Sequence, residues 1–357
     1  MSFMWGSSRP SVLATWAVGL AITGGLLTGC GGGAPSAVPP GTPSRAATAP
    51  SAPTVGHGLT RSSTSVGSGL PPPIVGQIPL AESRVGSVPL VWVWRAPPAG
   101  PGQGPITVAV FDPARTHLVL HAGSLQPVPG QSWVYGAQVG SKERQSLLAA
   151  FNGGFKLADA RGGWYSQGRT VAPLVAGAAS VVIYADGGAD IGAWGREVPA
   201  PHRAVASVSQ NLQLLIDNAH PQLQVATSEV QLERWWGTAF RAASLISRSA
   251  LGVTASGALV WAAGTDVSIP ALTQALLAHH VVRALELDIN APLVRGFLYA
   301  KPATITSVAP AGTVLPLVKG QTQTLADFTS MGTGASSVPH CTYLTTCSRA
   351  FFTVLTR

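Results

Sequence analysis

Acidic residues are scarce in this sequence. Its 357 residues include only 14 Asp and Glu against 22 Lys and Arg, which gives a formal net charge of +8. The charged fraction is only 10%, and the basic residues are scattered rather than gathered into runs. Nucleic-acid-binding domains concentrate Lys and Arg on one face or along one helix. The pattern therefore argues against a nucleic-acid partner, whereas a lightly basic surface is compatible with phosphate-bearing or other anionic polymers.

Cysteine is also scarce, with three residues, and the first of them marks a targeting segment. Cys30 directly follows Leu27-Thr28-Gly29 at the end of an apolar stretch, residues 12–27. This pattern resembles the signal peptide of bacterial lipoproteins. The resemblance implies that residues 1–29 are removed and that Cys30 carries a lipid anchor on the extracytoplasmic side of the cell membrane. The alternative is an uncleaved membrane anchor, for which the apolar run is short.

The two remaining cysteines, Cys341 and Cys347, form an even pair in an exported chain. An oxidising setting favours a disulfide between them. The alternative is a free or metal-binding pair, although only His340 lies nearby as a further ligand. The sequence contains no clear cluster of metal ligands, so we identify no cofactor and leave a divalent metal open.

Large apolar residues are rare between the signal segment and the rest of the chain, where Pro, Gly, Ser, Ala and Thr dominate. Such a segment cannot bury enough surface to offset the entropy lost on ordering. We therefore predict a disordered tether over residues 30–83. Residues 84–357 are long enough for one large domain with a substantial core, and this length does not exclude two domains.

Short runs rich in β-branched and aromatic residues, separated by Gly and Pro, predict mostly strands. The predicted strands are 88–94, 106–111, 117–121, 180–184, 204–208, 212–216, 251–254, 259–263 and 283–289. Two helices are predicted, at 142–149 and at 270–279, the second with Ser268 as N-cap and Pro270 in its first turn. We expect His279 and His280 to cap the end of this helix as cations rather than to bind metal. These elements predict a single α+β domain with a mixed or antiparallel sheet and few packed helices.

Residues 284–291 (ALELDINA) place two carboxylates and an amide in an otherwise apolar segment. In an extended strand, alternation places Glu286, Asp288 and Asn290 on one face. Residues two apart on a strand are roughly 6.6 Å apart, close enough for both carboxylates to act on one ligand. The alternative is a half-buried strand with a solvated polar face.

Two other segments carry candidate binding groups. Asn152 precedes Gly153 and Gly154, where the backbone could turn and present N–H groups to a phosphate or sugar oxygen, or simply form a turn. Arg248 interrupts an apolar stretch and could bind a phosphate or carboxylate through two hydrogen bonds. Its alternative role is an internal salt bridge with Asp288 or Glu286.

Four segments, taken in order, resemble the phosphodiester glycosidase domain family, which includes the enzyme that removes N-acetylglucosamine from phosphodiester-masked mannose. They are residues 149–155 (AAFNGGF), 181–194 (VVIYADGGADIGAW), 248–253 (RSALGV), and the helix from 270 with the strand through Asp288. The similarity covers about residues 105–300. It implies hydrolysis of a sugar phosphodiester or related glycosidic bond in an envelope or extracellular glycan. The implied catalytic residues are Asp288 and its partner Glu286, and the implied substrate-binding residues are Asn152, Gly153, Gly154, Arg248 and Asn290.

The last motif departs from the family pattern. The family usually has Asn-Leu-Asp-Gly-Gly-Gly-Ser, whereas this chain has ELDINAP at residues 286–292. Asp288 matches, an acid replaces an amide at Glu286, and the glycines are absent. Ile289 and Ala291 resist the backbone geometry and close ligand approach that glycine permits. Two rival hypotheses therefore remain, a non-catalytic glycan-binding lipoprotein and a scaffold for another envelope protein.

Overall fold

A computed structural model describes residues 74–222, 245–300, 302–307, 317–318, 325–327 and 341–357. The predicted signal peptide (1–29), Cys30 and residues 31–73 of the predicted tether lie outside this description. The first strand spans Ile78–Val85, so ordered structure begins before the expected domain boundary at residue 84. Within the described ranges, no helix has the length and apolar character needed to cross a membrane.

The described regular elements are mainly strands. In chain order they are β1 (Ile78–Val85), β2 (Val88–Ala96), β3 (Ile106–Phe111), β4 (Thr116–His121), a 3-10 helix (Glu143–Gln145), β5 (Leu147–Asn152), α1 (Leu157–Ala160), β6 (Trp164–Ser166), β7 (Arg169–Ala172), β8 (Ala179–Tyr184), β9 (Ala189–Ala193), β10 (Val205–Gln210), β11 (Leu214–Asp217), β12 (His220–Pro221), β13 (Ile246–Thr254), β14 (Leu259–Val267), α2 (Ile269–Ala278), β15 (Val281–Glu286), β16 (Gly296–Tyr299), β17 (Thr304–Ser307), β18 (Leu317–Val318), β19 (Leu325–Asp327) and β20 (Phe351–Thr356).

These strands form three sheets. The largest has nine strands in the order β12-β11-β15-β13-β14-β3-β2-β1-β17. A six-stranded sheet has the order β18-β19-β16-β5-β20-β4, and a five-stranded sheet has the order β7-β6-β10-β8-β9. Neighbouring strands pair antiparallel, as β13 does with both β14 and β15. The prediction of an α+β fold is therefore wrong, because the described chain is a β-rich fold of three sheets with two short α-helices.

Alternation along the strands explains why two sheets pack together. In β14, Leu259, Trp261 and Ala263 face a core shared with the six-stranded sheet. The intervening residues Val260 and Ala262 face a second core on the other side. Phe151 of β5 stacks against Phe111 of β3 with ring centroids 5.8 Å apart, and its ring lies tilted against that of Trp261, also at 5.8 Å. Because both faces of β14 are apolar, the nine-stranded sheet is covered on both sides here.

Helix α2 covers the second core and confirms the predicted helix at 270–279. The Ser268 hydroxyl accepts a hydrogen bond from the backbone N–H of Ala271, and Pro270 occupies the first turn. Leu272 and Leu276 pack on the sheet. His279 at the end of this helix does not act as a cationic cap. Burial, followed by the charge of His280, lowers its pKa to about 4, and its Nε2 contacts Gln77 Oε1 at 2.7 Å.

The predicted helix at 142–149 is wrong. The segment forms a single 3-10 turn at Glu143–Gln145 and then enters β5. All six residues of β5 are buried, since the strand lies in the middle of its sheet between β16 and β20. A short, continuous apolar run has no periodicity that separates a buried strand from a buried helix.

Candidate functional site

Strand β15 ends at Glu286, two residues before Asp288. The predicted strand is thus correct up to Glu286 and wrong for residues 287–289. The Leu287 N–H still donates to the Ser249 carbonyl at 2.8 Å, but the Asp288 N–H donates to the Gly153 carbonyl at 2.9 Å. The chain therefore leaves the nine-stranded sheet at this point and meets the end of β5, which belongs to the six-stranded sheet. Asp288 is buried, whereas Asn290 is exposed.

Glu286 and Arg248 form an internal ion pair. Arg248 Nη1 lies 2.8 Å from Glu286 Oε1, and the two side chains are 2% and 0% exposed. Arg248 Nε also donates to the Val267 carbonyl. Burial raises the pKa of the Glu286 carboxyl to about 7, an effect that the Arg248 guanidinium opposes. Arg248 thus takes the alternative role considered from the sequence.

Asn152 and Asp288 meet through the hydroxyl of Ser249. The Asn152 side-chain amide donates to Ser249 Oγ at 2.8 Å and to the Gly153 carbonyl at 3.1 Å. Ser249 Oγ in turn donates to the Asp288 carbonyl at 2.8 Å. A carbonyl oxygen can only accept, so the contact with Gly153 fixes the orientation of the amide. Asn152 Oδ1 is consequently a buried acceptor without a hydrogen-bond partner among the described residues.

Gly153 allows the end of β5 to approach the start of β20. A Cβ atom at this position would lie 2.6 Å from the Ala350 carbonyl oxygen, closer than folded proteins tolerate. The Gly153 N–H donates to that same oxygen at 3.0 Å. The expectation that this N–H would be exposed to a ligand is therefore wrong. The glycine serves close packing, which is the other common reason for glycine at a strand end.

A cavity of about 420 Å³ lies where β5 and β15 end and where β16 and β20 begin. We call it the Asp288 cleft. Its polar lining includes Asn152, Asp288, Asn290, Arg295 and Arg349, together with the Gly153 backbone. The structure thus brings four predicted site residues to one cavity, namely Asn152, Gly153, Asp288 and Asn290. Gly154, Arg248 and Glu286 do not line it.

Arg349 is the guanidinium that contacts Asp288. Arg349 Nη2 lies 2.7 Å from Asp288 Oδ2, and the two side chains are 15% and 4% exposed. The second carboxylate oxygen, Oδ1, accepts from the Asn290 backbone N–H at 3.0 Å. Sequence reasoning missed Arg349 and Arg295. Their one sequence signal is position, since Arg349 follows Cys347 closely and Arg295 lies just beyond the Asp288 segment.

The predicted disulfide between Cys341 and Cys347 is confirmed. Both cysteines line the cleft, as do Tyr343 and Thr346 of the loop that the disulfide closes. Tyr343 is buried with a left-handed φ of 62°, and its hydroxyl donates to the Arg295 carbonyl at 3.1 Å. The disulfide loop is therefore one wall of the cleft.

The described side chains include no group of three or more His, Cys, Asp or Glu residues arranged to hold a metal ion. Among the described residues that line the cleft, only Asp288 carries a carboxylate, and none is a histidine. Its chemistry consists of this carboxylate, the amide oxygen of Asn152 and the guanidinium groups of Arg295 and Arg349. Such a set can bind a polar, anionic ligand and present one carboxylate to it.

The sequence matches no family model and no curated protein. Among solved structures, the catalytic domain of zebrafish N-acetylglucosamine-1-phosphodiester alpha-N-acetylglucosaminidase, auto-inhibited by its pro-peptide, is similar with 13% identity and a TM-score of 0.45. That match covers 78% of this chain and 87% of the zebrafish domain.

Two further solved structures are similar to this chain. A hypothetical protein from Synechocystis has 14% identity and a TM-score of 0.36, over 75% of this chain and 62% of its own. A protein from Burkholderia pseudomallei that is named as exported has 15% identity and a TM-score of 0.31, over 63% and 74%. These values are too low to transfer an activity, so the function must be inferred from the cleft.

Proposed function

We propose that this protein is an extracytoplasmic hydrolase of the glycosidase type, which cleaves a sugar phosphodiester or a related glycosidic bond in an envelope or extracellular glycan. The observation that carries the proposal is the position of Asp288, a buried carboxylate that lines a cavity together with Asn152 and Arg349. The four sequence segments that resemble phosphodiester glycosidases support the same reaction.

The number of carboxylates in the described part of the cleft favours a phosphodiester as the substrate over an ordinary glycoside. Glycoside hydrolysis commonly uses two carboxyl groups, one of which protonates the leaving oxygen. Among the described residues of the cleft, only Asp288 carries a carboxylate, because Glu286 is held by Arg248 outside it. A phosphate monoester leaves as a stable anion and needs little protonation. One carboxylate, which attacks the anomeric carbon or activates water, is then sufficient for the reaction.

The remaining groups fit the binding of a sugar. Asn152 Oδ1 can accept a hydrogen bond from a sugar hydroxyl, and Asn290 lies at the exposed edge of the cleft. Water would add across the bond between the sugar carbon and the phosphate oxygen, which releases the free sugar and a phosphate monoester.

We also propose that Cys30 anchors the protein to the cell membrane by a lipid. The disulfide is consistent with an oxidising compartment outside the cytoplasm. The short lipoprotein-like segment before Cys30 supports the anchor itself.

The direct test compares hydrolysis of glycosyl methyl phosphates with that of the matching methyl glycosides. We expect turnover of a phosphodiester, and we expect Asp288→Asn to lower kcat/KM by about 10²- to 10⁴-fold, since the amide cannot act as a base or nucleophile. The melting temperature should fall by only a few degrees, because one ion pair with Arg349 is lost. Asp186→Asn, an exposed carboxylate paired with Arg203, is the matched control and should leave turnover unchanged.

One observation favours a non-catalytic glycan-binding protein instead. Ile289 and Ala291 stand where the resembling family has glycines, and the sole described carboxylate of the cleft is engaged by Arg349. A wild-type protein that binds sugar phosphates with no turnover of any phosphodiester or glycoside would establish this second function and reject the first.

A further inference from the structure

Arg349 has hydrogen-bonding groups that no described part of the protein satisfies. Its Nη2 contacts Asp288, but Nε and Nη1 are buried and find no partner among the described residues. A buried, charged N–H group without an acceptor is costly. An acceptor supplied by a ligand in the cleft would satisfy these donors, and anionic oxygens are the strongest acceptors for a guanidinium.

Backbone hydrogen bonds hold the chain on both sides of Arg349. The Cys347 N–H donates to the Ala137 carbonyl at 2.8 Å, and the Ser348 carbonyl accepts from the N–H groups of Leu125 and Gln126. On the other side, the Ala350 carbonyl accepts from Gly153. The backbone is therefore held immediately before and after Arg349, and the residue before it, Ser348, directly follows the disulfide loop.

The charge of the cleft favours an anion. Its described lining carries two guanidinium groups, Arg295 and Arg349, and one carboxylate, Asp288, so the sum is two minus one, or +1. Asn152 Oδ1 adds an acceptor that needs a donor. A ligand that presents both an anionic group and hydroxyl groups, as a phosphorylated sugar does, complements both features.

We infer that Arg349 is the specificity-determining residue of the Asp288 cleft, which binds the phosphate oxygens of a phosphorylated sugar, and that the Cys341–Cys347 loop positions it. The identity of the ligand as a sugar phosphate rests on the proposed function. Anion recognition by Arg349 does not require that the cleft turns its ligand over.

The test measures binding at equilibrium with three probes, namely glucose 1-phosphate, glucuronate and methyl glucoside. The wild type should bind glucose 1-phosphate at least about tenfold more tightly than methyl glucoside, since an additional charge-assisted hydrogen bond corresponds to about a tenfold or larger change in affinity. It should also bind glucose 1-phosphate more tightly than glucuronate, because a phosphate carries more negative charge than a carboxylate and offers a third acceptor oxygen. Added salt should weaken binding of the phosphate but not of methyl glucoside.

Arg349→Gln should weaken glucose 1-phosphate binding about 10- to 100-fold and leave the affinity for methyl glucoside within about twofold. Arg349→Lys should recover part of the loss, because it retains the charge without the planar fork. Arg196→Gln removes an exposed guanidinium that pairs with Asp217 away from the cleft, and it should change neither affinity. The Cys341→Ser/Cys347→Ser double variant should lose the preference for phosphate while the protein remains folded by circular dichroism.

The inference is overturned if Arg349→Gln keeps the wild-type preference, or if glucuronate binds more tightly than glucose 1-phosphate. Should the arginine variants not fold, a salt-independent affinity of the wild type for glucose 1-phosphate would overturn it. Binding through Arg349 without turnover would reject the hydrolase and keep this inference. Turnover that depends on Asp288 but not on Arg349 would support the hydrolase and reject this inference.

Discussion

His279 is buried as a neutral imidazole at the end of α2. Burial is the main cause of its lowered pKa, which falls from an ordinary 6.5 to about 4, and Trp94 packs against its ring at 6.1 Å. Below pH 6.5 the unfolded chain takes up a proton at this residue that the folded protein resists until pH 4. The stability that neutral His279 contributes is therefore present above pH 6.5 and is lost as the pH falls towards 4.

We predict that His279→Gln removes this part of the acid sensitivity. The wild type should lose about 3 kcal/mol of unfolding free energy more than the variant between pH 7 and pH 4, the energy equivalent of the shift in pKa. Urea denaturation at a series of pH values measures the difference. His220→Gln, at an exposed histidine, is the control and should follow the wild-type curve. Parallel curves for wild type and His279→Gln would contradict the prediction.

At the scale of elements, strands whose ends are marked by Gly or Pro could be predicted from the sequence. Residues 106–111 form β3 with the predicted bounds, and 259–263 lie within β14. The predicted helix at 142–149 failed because the apolar run of β5 is buried on both faces and carries no period. The strand predicted through residue 289 failed because the Asp288 N–H bonds to Gly153 of another sheet, a partner that local sequence does not reveal.

Contacts with strands that are distant in the sequence also explain why Arg248 was predicted to bind an anion and why Arg349 was missed. Arg248 was the predicted anion-binding residue, but β13 pairs with β15 and places Arg248 against Glu286. Arg349 reaches the cleft because β20 pairs with β5, with Phe351 opposite Asn152. Which guanidinium faces the cavity thus depends on sheet order. Asn152 and Asp288 were recognised in the sequence as candidates because Asn152 ends an otherwise apolar strand and Asp288 lies two residues beyond the end of another.

For the whole molecule, the cleft lies where the strand ends of two packed sheets meet, with the disulfide loop as a wall. The proposed lipid at Cys30 would attach the protein to the cell membrane. We predict that Cys30→Ser leaves the protein unprocessed or releases it into the soluble fraction. Radiolabelled palmitate incorporation and detergent phase partitioning measure the change. Equal labelling and partitioning of variant and wild type would contradict the lipid anchor.

We propose above all that the cleft hydrolyses the bond between a sugar carbon and a phosphate oxygen. Turnover of a glycosyl methyl phosphate in ¹⁸O-labelled water, followed by mass spectrometry of both products, tests it most directly. We predict that the label enters the sugar, that methyl phosphate remains unlabelled, and that Asp288→Asn forms both products about 10²- to 10⁴-fold more slowly. Label in the phosphate product, or no turnover by the wild type, would contradict the claim.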